Sequence, residues 1–242
     1  VNPWQGSPSL THYNSSPSTE WSDWEAEPVN VVFGNYVYQY TDLSFPARGP
    51  DFSFRRIYNS LSDYNGLFGP GWTHSYNITI TAEITNAVYI RRADGRLDLY
   101  LRQGDGSYDP PPGIHDSLAT NGITFTLTLK DQTAYHFDTQ GCLDRIVDKN
   151  GNSLALSYTD GFLTNITLAD GRVVSFAYDG QGHLTQLADP AGRTVQFGYD
   201  AQGRLTTVTD VRGYVTTYAY DSQSRLTSIT DANGHVTTYE YG

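Results

Sequence analysis

From residue 137 to residue 242, apolar and polar positions recur with a period of about 21 residues. The aromatic anchors Phe137, Tyr158, Tyr178, Tyr199, Tyr220 and Tyr241 lie 21, 20, 21, 21 and 21 residues apart. Gly151, Gly171, Gly192, Gly213 and Gly234 keep the same beat, as do Leu143, Leu163, Leu184, Leu205 and Leu226. A fixed period of this length marks a tandem array whose units bury their apolar faces against their neighbours. Within a unit, a turn such as Asp200-Ala201-Gln202-Gly203 leads to a strand, RLTTVT, and Asp210-Val211-Arg212-Gly213 leads to the next, YVTTYAY. Asp accepts local backbone N–H bonds and Gly takes the positive φ, so each unit predicts a β-hairpin.

Alternation in the second strand assigns its two faces. One face carries Leu154, Val174, Val195, Thr216 and Thr237, then Leu156, Phe176, Phe197, Tyr218 and Tyr239, then the anchor tyrosine. The other carries small or polar residues, among them Ala155, Ser175, Gln196, Thr217 and Thr238. The predicted fold is therefore all-β, with tandem hairpins forming a continuous, curved antiparallel sheet over 137–242. In the second unit Leu168 stands where Asp148, Asp189, Asp210 and Asp231 stand in the others.

Residues 29–136 read as an irregular β head. VNVVF and YVYQY flank Gly34-Asn35, and FSFRRIY alternates. WTHSYNITI follows the turn cluster GLFGPG, and VYIRR meets RLDLYL across Ala93-Asp94-Gly95. GITFTLTL meets TAYHF across Lys130-Asp131. Three consecutive prolines, Pro110 to Pro112, make 104–117 a loop. Residues 1–28 lack periodicity and are rich in Pro and Ser, yet Trp4, Trp21 and Trp24 are costly to leave in water. They predict an extended arm lying on the β body, with the three tryptophans as candidate ligand or partner contacts.

Composition sharpens this picture in a few places. The chain of 242 residues has 19 Tyr, 10 Phe and 23 Gly, which suits pleated strands and tight turns. Fifteen Lys and Arg against 26 Asp and Glu give a net charge of −11, which argues against a nucleic-acid partner. No apolar run approaches the ~20 residues that span a bilayer. A single cysteine, Cys142, leaves no internal disulfide and reads as a small residue beside a strand turn. The sequence starts at Val1 and has no Met, which anticipates a processed or excised chain.

Catalytic patterns are missing from the sequence: there is no GxSxG, HExxH, P-loop or GxGxxG. His12, His74, His115, His136, His183 and His235 are scattered, so neither metal nor cofactor is expected. Asp105, Asp109 and Asp116 around the proline loop read as solvated acids rather than a calcium loop. Asn14, Asn77 and Asn165 open Asn-x-Ser/Thr sequons. The expectation is a non-enzyme with no catalytic residue.

The units with Tyr-Asp, Gly-Arg-Leu-Thr and Asp-x-x-Gly resemble the RHS/YD-repeat family, which includes teneurins, bacterial wall-associated proteins and toxin-complex shells. Ser224 departs from that pattern at a turn glycine, and Leu168 at a turn aspartate. Pro28-Val29, Gly34, Asp42-Leu43, Pro46, the FRRIYNS run 54–60 and Gly69-Pro70-Gly71-Trp72 resemble the module that precedes the repeats in bacterial members. The loop 108–113 fits the same module. The resemblance implies a hollow, spiralling β-shell in a secreted or cell-surface protein, one that encloses a C-terminal effector in bacterial toxins. The family's self-cleavage segment and toxin have no counterpart here, and Asp189-Pro190-Ala191-Gly192 reads as an ordinary repeat turn.

The expected function is a structural segment of such a shell or scaffold, organised as an arm (1–28), a head (29–136) and five repeats (137–242). Its expected partners are the rest of its own chain, further copies of itself, an encapsulated effector or a surface glycan. Two alternatives accompany this reading. One is a self-assembling fibre or tube subunit using the open last strand, and the other is a glycan-binding or adhesion module.

Overall fold

The computed structural model of the chain describes residues 29–30, 35–82 and 86–241. The described residues form strands and turns throughout, and no helix occurs among them. The first strands are β1 (Val29–Asn30), β2 (Asn35–Phe45), β3 (Phe52–Asn59), β4 (Asn65–Gly66), β5 (Gly69–Pro70) and β6 (Trp72–His74). Next come β7 (Thr79–Ala82), β8 (Ala87–Arg91), β9 (Leu97–Arg102) and β10 (Tyr108–Asp109). The chain continues with β11 (Ser117–Thr120), β12 (Phe125–Thr128), β13 (Ala134–Phe137), β14 (Leu143–Val147), β15 (Ser153–Thr159) and β16 (Phe162–Thr167). The last strands are β17 (Val173–Tyr178), β18 (Leu184–Ala188), β19 (Thr194–Tyr199), β20 (Leu205–Thr209), β21 (Val215–Tyr220), β22 (Leu226–Thr230) and β23 (Val236–Thr238).

These strands fall into two compact units, each discontinuous in sequence. The first holds the described residues of 46–51 and 76–171. In it β10, β9, β8 and β7 form one antiparallel sheet, and β11 to β16 pair antiparallel in chain order. Backbone bonding joins the two sheets where the Ile80 N–H donates to the Gly141 carbonyl over 2.8 Å. A Cβ on Gly141 would lie 2.0 Å from that Ile80 carbonyl oxygen, so only glycine fits this crossing. Ile90, Tyr100, Leu127, Phe137, Leu143 and Ile166 are sealed in the core of this unit.

The second unit holds the described residues of 28–45, 52–75 and 172–242. Here β1, β2, β3 and β6 form a four-stranded antiparallel sheet, β4 and β5 make a short hairpin, and β17 to β23 carry the later repeats. Phe52, Phe54, Phe68, Trp72, Val174, Leu184, Val195, Leu205 and Leu226 have no accessible surface. Full burial of one such side chain stabilises by about 1.5–3 kcal/mol, so this shared core dominates the unit.

Two local devices set the repeat geometry. A β-bulge precedes the anchor at Ser157/Tyr158, Ala177/Tyr178, Gly198/Tyr199 and Ala219/Tyr220. The extra residue is the threonine after the repeat leucine, which is why Leu205 and Val208 both face inward three positions apart. The second device explains the shortened unit. Asp160 and Gly161 both have positive φ (51° and 84°) between the paired Thr159 and Phe162. That is the two-residue hairpin turn, one residue tighter than the Asp-x-x-Gly turns elsewhere.

Candidate functional site

The repeat turns are closed by their aspartates. Asp200 accepts from the backbone N–H of Gln202 and Arg204 through Oδ1 (3.0 and 2.9 Å), and Oδ2 holds Arg204 Nε at 2.7 Å. Asp189 and Asp221 repeat this with Arg193 and Arg225 at 2.6 and 2.7 Å, and Asp179 repeats it with His183 at 3.0 Å. Burial pushes the carboxyls of Asp189 and Asp200 up, and the N–H and guanidinium donors outweigh it, so both sit below the usual carboxylate range. In three of these four turns the basic residue four positions after the aspartate also reaches the next unit. His183 stacks on Tyr199 with ring centroids 4.7 Å apart, while Arg204 covers Tyr220 at 5.3 Å and Arg225 covers Tyr241 at 4.6 Å. Sequence reading assigned the turn to Asp and Gly and missed this clamp, although Gly-Arg-Leu-Thr carried its signal.

The anchor tyrosines are half-buried rather than sealed, because each keeps a polar task. Tyr158, Tyr199, Tyr220 and Tyr241 donate to the carbonyls of Leu143, Leu184, Leu205 and Leu226 over 2.6–2.8 Å. Tyr178 is likewise half-buried, and Phe137, which has no hydroxyl, is fully buried. The turn glycines 151, 171, 192, 213 and 234 all take positive φ, between 82° and 86°.

The aromatic face of the repeats in the second unit is filled by the chain itself. Phe54 meets Phe176 with centroids 5.6 Å apart, and Phe68 meets Phe197 at 5.0 Å. Trp72 stands edge-on to Tyr218 at 5.3 Å and donates its indole N–H to Tyr220 Oη over 2.9 Å. The Leu226 N–H donates to Tyr58 Oη over 2.9 Å, and the Leu184 N–H donates to the Leu67 carbonyl over 3.1 Å.

At the centre lies an ion pair. Arg56 Nε and Nη2 bind Asp42 at 2.6 and 2.8 Å, Arg56 Nη1 reaches Tyr218 Oη at 3.1 Å, and the Arg56 side chain has no accessible surface. The rings of Trp72, Tyr218, Tyr40 and Phe197 surround the guanidinium carbon at 5.3–5.7 Å. Burial works against the charge on Arg56, and the facing Asp42 carboxylate and Tyr218 hold it protonated all the same. Asp42 is the extra residue of a bulge between Thr41 and Leu43 in β2, and the bulge turns its side chain to Arg56. The sequence signal was available: Phe52, Phe54, Arg56 and Tyr58 share one face by alternation, and a buried arginine needs an acid.

Elsewhere, some titratable groups are bound into the structure. Arg92 joins Asp98, Asp116 and Tyr100 over 2.6–3.1 Å, and Asp105 caps Ser107. Burial foremost, with Asp138 nearby, pushes the Cys142 thiol up to about 11, which disfavours the thiolate. Among the described residues no group of three or more His, Cys, Asp or Glu is placed to hold a metal ion. Nor is any described helix long and apolar enough to cross a membrane. Trp4, Trp21 and Trp24 lie outside the described residues.

Comparison with known proteins bears on both halves of the chain. Residues 26–100 match the family described as Domain of unknown function (DUF6531), an RHS-associated N-terminal domain. Residues 158–194, 199–236 and 220–242 match the RHS Repeat. The tRNA nuclease WapA of Bacillus subtilis (strain 168) is 35% identical over 133 residues, which is 54% of this chain and 6% of that protein. The tRNA3(Ser)-specific nuclease WapA of Bacillus spizizenii is 34% identical with the same coverage. The chain thus spans about 6% of the length of the curated relatives it matches. The crystal structure of TcdB2-TccC3-TEV superposes at a TM-score of 0.36 and 11% identity, covering 86% of this chain and 14% of that one. The Tc holotoxin pore of Photorhabdus luminescens gives 0.23 at 12% identity, with the same coverage. With an RHS-associated N-terminal module followed by tandem repeats, the chain belongs to the RHS/YD-repeat family.

Proposed function

We propose that this chain is a non-catalytic scaffold segment of a secreted or cell-surface RHS/YD-repeat protein. It builds part of a β-sheet shell whose partners are the rest of its own chain and an enclosed effector. The observation that carries this reading is the filled aromatic face. Phe54, Phe68, Trp72 and the Asp42–Arg56 pair pack onto the aromatic face of the later repeats, so that face serves as core. The tRNA nuclease activity in the names of the WapA relatives belongs, on this reading, to parts of those proteins that this chain does not match. Incubating the purified chain with total tRNA tests it directly. Intact tRNA is expected, and cleavage that co-purifies with the chain through successive columns would overturn the proposal.

A second reading rests on β23. Among the described residues it pairs with β22 alone, and Val236, Thr237 and Thr238 are exposed, so its free edge is a place for a further strand. If that strand comes from another copy, light scattering shows mass rising with concentration. A constant monomer mass rules the second reading out.

A further inference from the structure

The ladder position two residues before each anchor changes chemistry along the array. It is Phe176 and Phe197 in two successive units of the second compact unit, then Tyr218 and Tyr239 in the next two. The contacts change in step. Phe176 and Phe197 meet the rings of Phe54 and Phe68, both without accessible surface. Tyr218 meets Arg56 Nη1 through its hydroxyl, and Tyr239 meets the hydroxyl of Tyr36, with ring centroids 4.2 Å apart. Phenylalanine thus meets the rings of Phe54 and Phe68, with Phe197 also bordering the Arg56 guanidinium, while the hydroxyls of Tyr218 and Tyr239 meet Arg56 and Tyr36.

The geometry points to a docking code: the residue at this ladder position determines which part of the N-terminal module seats on which repeat. Each repeat offers an inward leucine and an anchor tyrosine, and the position two residues before the ladder changes in the same direction, from Val174 and Val195 to Thr216 and Thr237. A slip of the module by one unit therefore has to be disfavoured by something that differs between units. Slipping back by one would bring Arg56 from Tyr218 to Phe197 and leave a fully buried guanidinium N–H without its acceptor. A slip in the other direction would bring Phe68 from Phe197 to Tyr218 and press the Tyr218 hydroxyl against an apolar ring. Unpaired buried polar groups are penalised more heavily than paired ones are favoured, which makes a single hydroxyl an effective discriminator. Buried ionic groups are best attested in this role of fixing register. The inference concerns how the module chooses its repeats, and it stands or falls separately from the scaffold proposal.

Native-state hydrogen exchange on the full chain tests it at two reporter amides. The Leu226 N–H bonds Tyr58 Oη and the Leu184 N–H bonds the Leu67 carbonyl, so both report module docking in the native register. In Tyr218→Phe the opening constant of these two amides is expected to rise roughly tenfold or more, as for a lost bond to a charged group. Amides of β12 and β16 in the other unit should hold their rates. The swap Phe197→Tyr with Tyr218→Phe keeps ring and hydroxyl counts, and it should open the reporters at least as far. Combining Tyr218→Phe with Asp42→Leu and Arg56→Met removes donor and acceptor together and should return protection towards the wild-type level. If Tyr218→Phe does not fold, Phe197→Tyr alone supplies the converse measurement. Wild-type protection in the swap overturns the code. So does an equal rise at β12 and β16, because Tyr218 would then support the fold without choosing a register.

Discussion

Ser224 occupies the turn position that is glycine in the neighbouring units, and it does so with φ at 63°. A side chain in the left-handed region costs about 1–2 kcal/mol, part of which glycine returns as unfolded-chain entropy. Ser224→Gly is therefore expected to stabilise by about 0.5–1 kcal/mol, read as a higher urea midpoint at unchanged slope. Gly213 has φ at 86° with open space around it, so Gly213→Ala should destabilise by about 1 kcal/mol through backbone strain alone. A buried histidine gives the pH dependence its shape. Burial pushes His74 down to about 3, against an ordinary value near 6.5, so the unfolded chain binds a proton that the folded chain refuses. Its contribution is fully present above about pH 6.5 and is lost as pH falls towards 3. The stability of the wild type should decline between pH 6.5 and 4, above the range where the depressed turn aspartates begin to act. His74→Phe should flatten that stretch of the curve, and an unchanged slope would show that His74 is accessible to protons.

At the scale of the strand pair, the recurring bulge explains why some residues are threonines. Thr164, Thr185 and Thr206 are the extra residues, and each hydroxyl donates back to the carbonyl across the bulge, at Ser157, Ala177 and Gly198, over 3.1–3.2 Å. Asp144 holds the same place in the first unit and has no hydroxyl to donate. Its Oδ1 is buried without a hydrogen-bond partner, and burial foremost raises its carboxyl above the usual range. Asp144→Thr restores the pattern and should raise stability by about 1–3 kcal/mol, the cost of an unsatisfied acceptor, measured by urea unfolding at neutral pH. Loss of stability would mean the aspartate has a role the bulge does not explain. The strands themselves were legible in the sequence, since alternation placed Leu154, Leu156, Val174, Phe176, Val195 and Phe197 inward, as found. The bulges were not. They break the period of two in the first strand of each unit, where Leu205 and Val208 are three apart, and a break in alternation does not reveal its own cause.

At the scale of the molecule, the chain folds by returning on itself. Leu226 bonds a tyrosine 168 residues earlier, and Trp72 bonds one 148 residues later. The sequence displayed the repeats because their signal is periodic, and it displayed the N-terminal module because its motif is specific. It carried no periodic or local trace of their shared core, because contacts at this separation are chosen by shape and polarity in three dimensions. Arg56 was the one readable hint, as a charge on the inward face of an alternating strand. The central claim is that module and repeats share that core, and the indole proton of Trp72 tests it most directly. In a spectrum of the labelled full chain, assigned with Trp72→Phe, this proton should show strong cross-relaxation to the ring protons of Tyr218 and Tyr220 and slow exchange with water. Cross-relaxation confined to Tyr38 and Tyr58, the module rings whose centroids lie 6.0 and 5.3 Å from that of Trp72, with rapid exchange of the indole proton, would contradict the account.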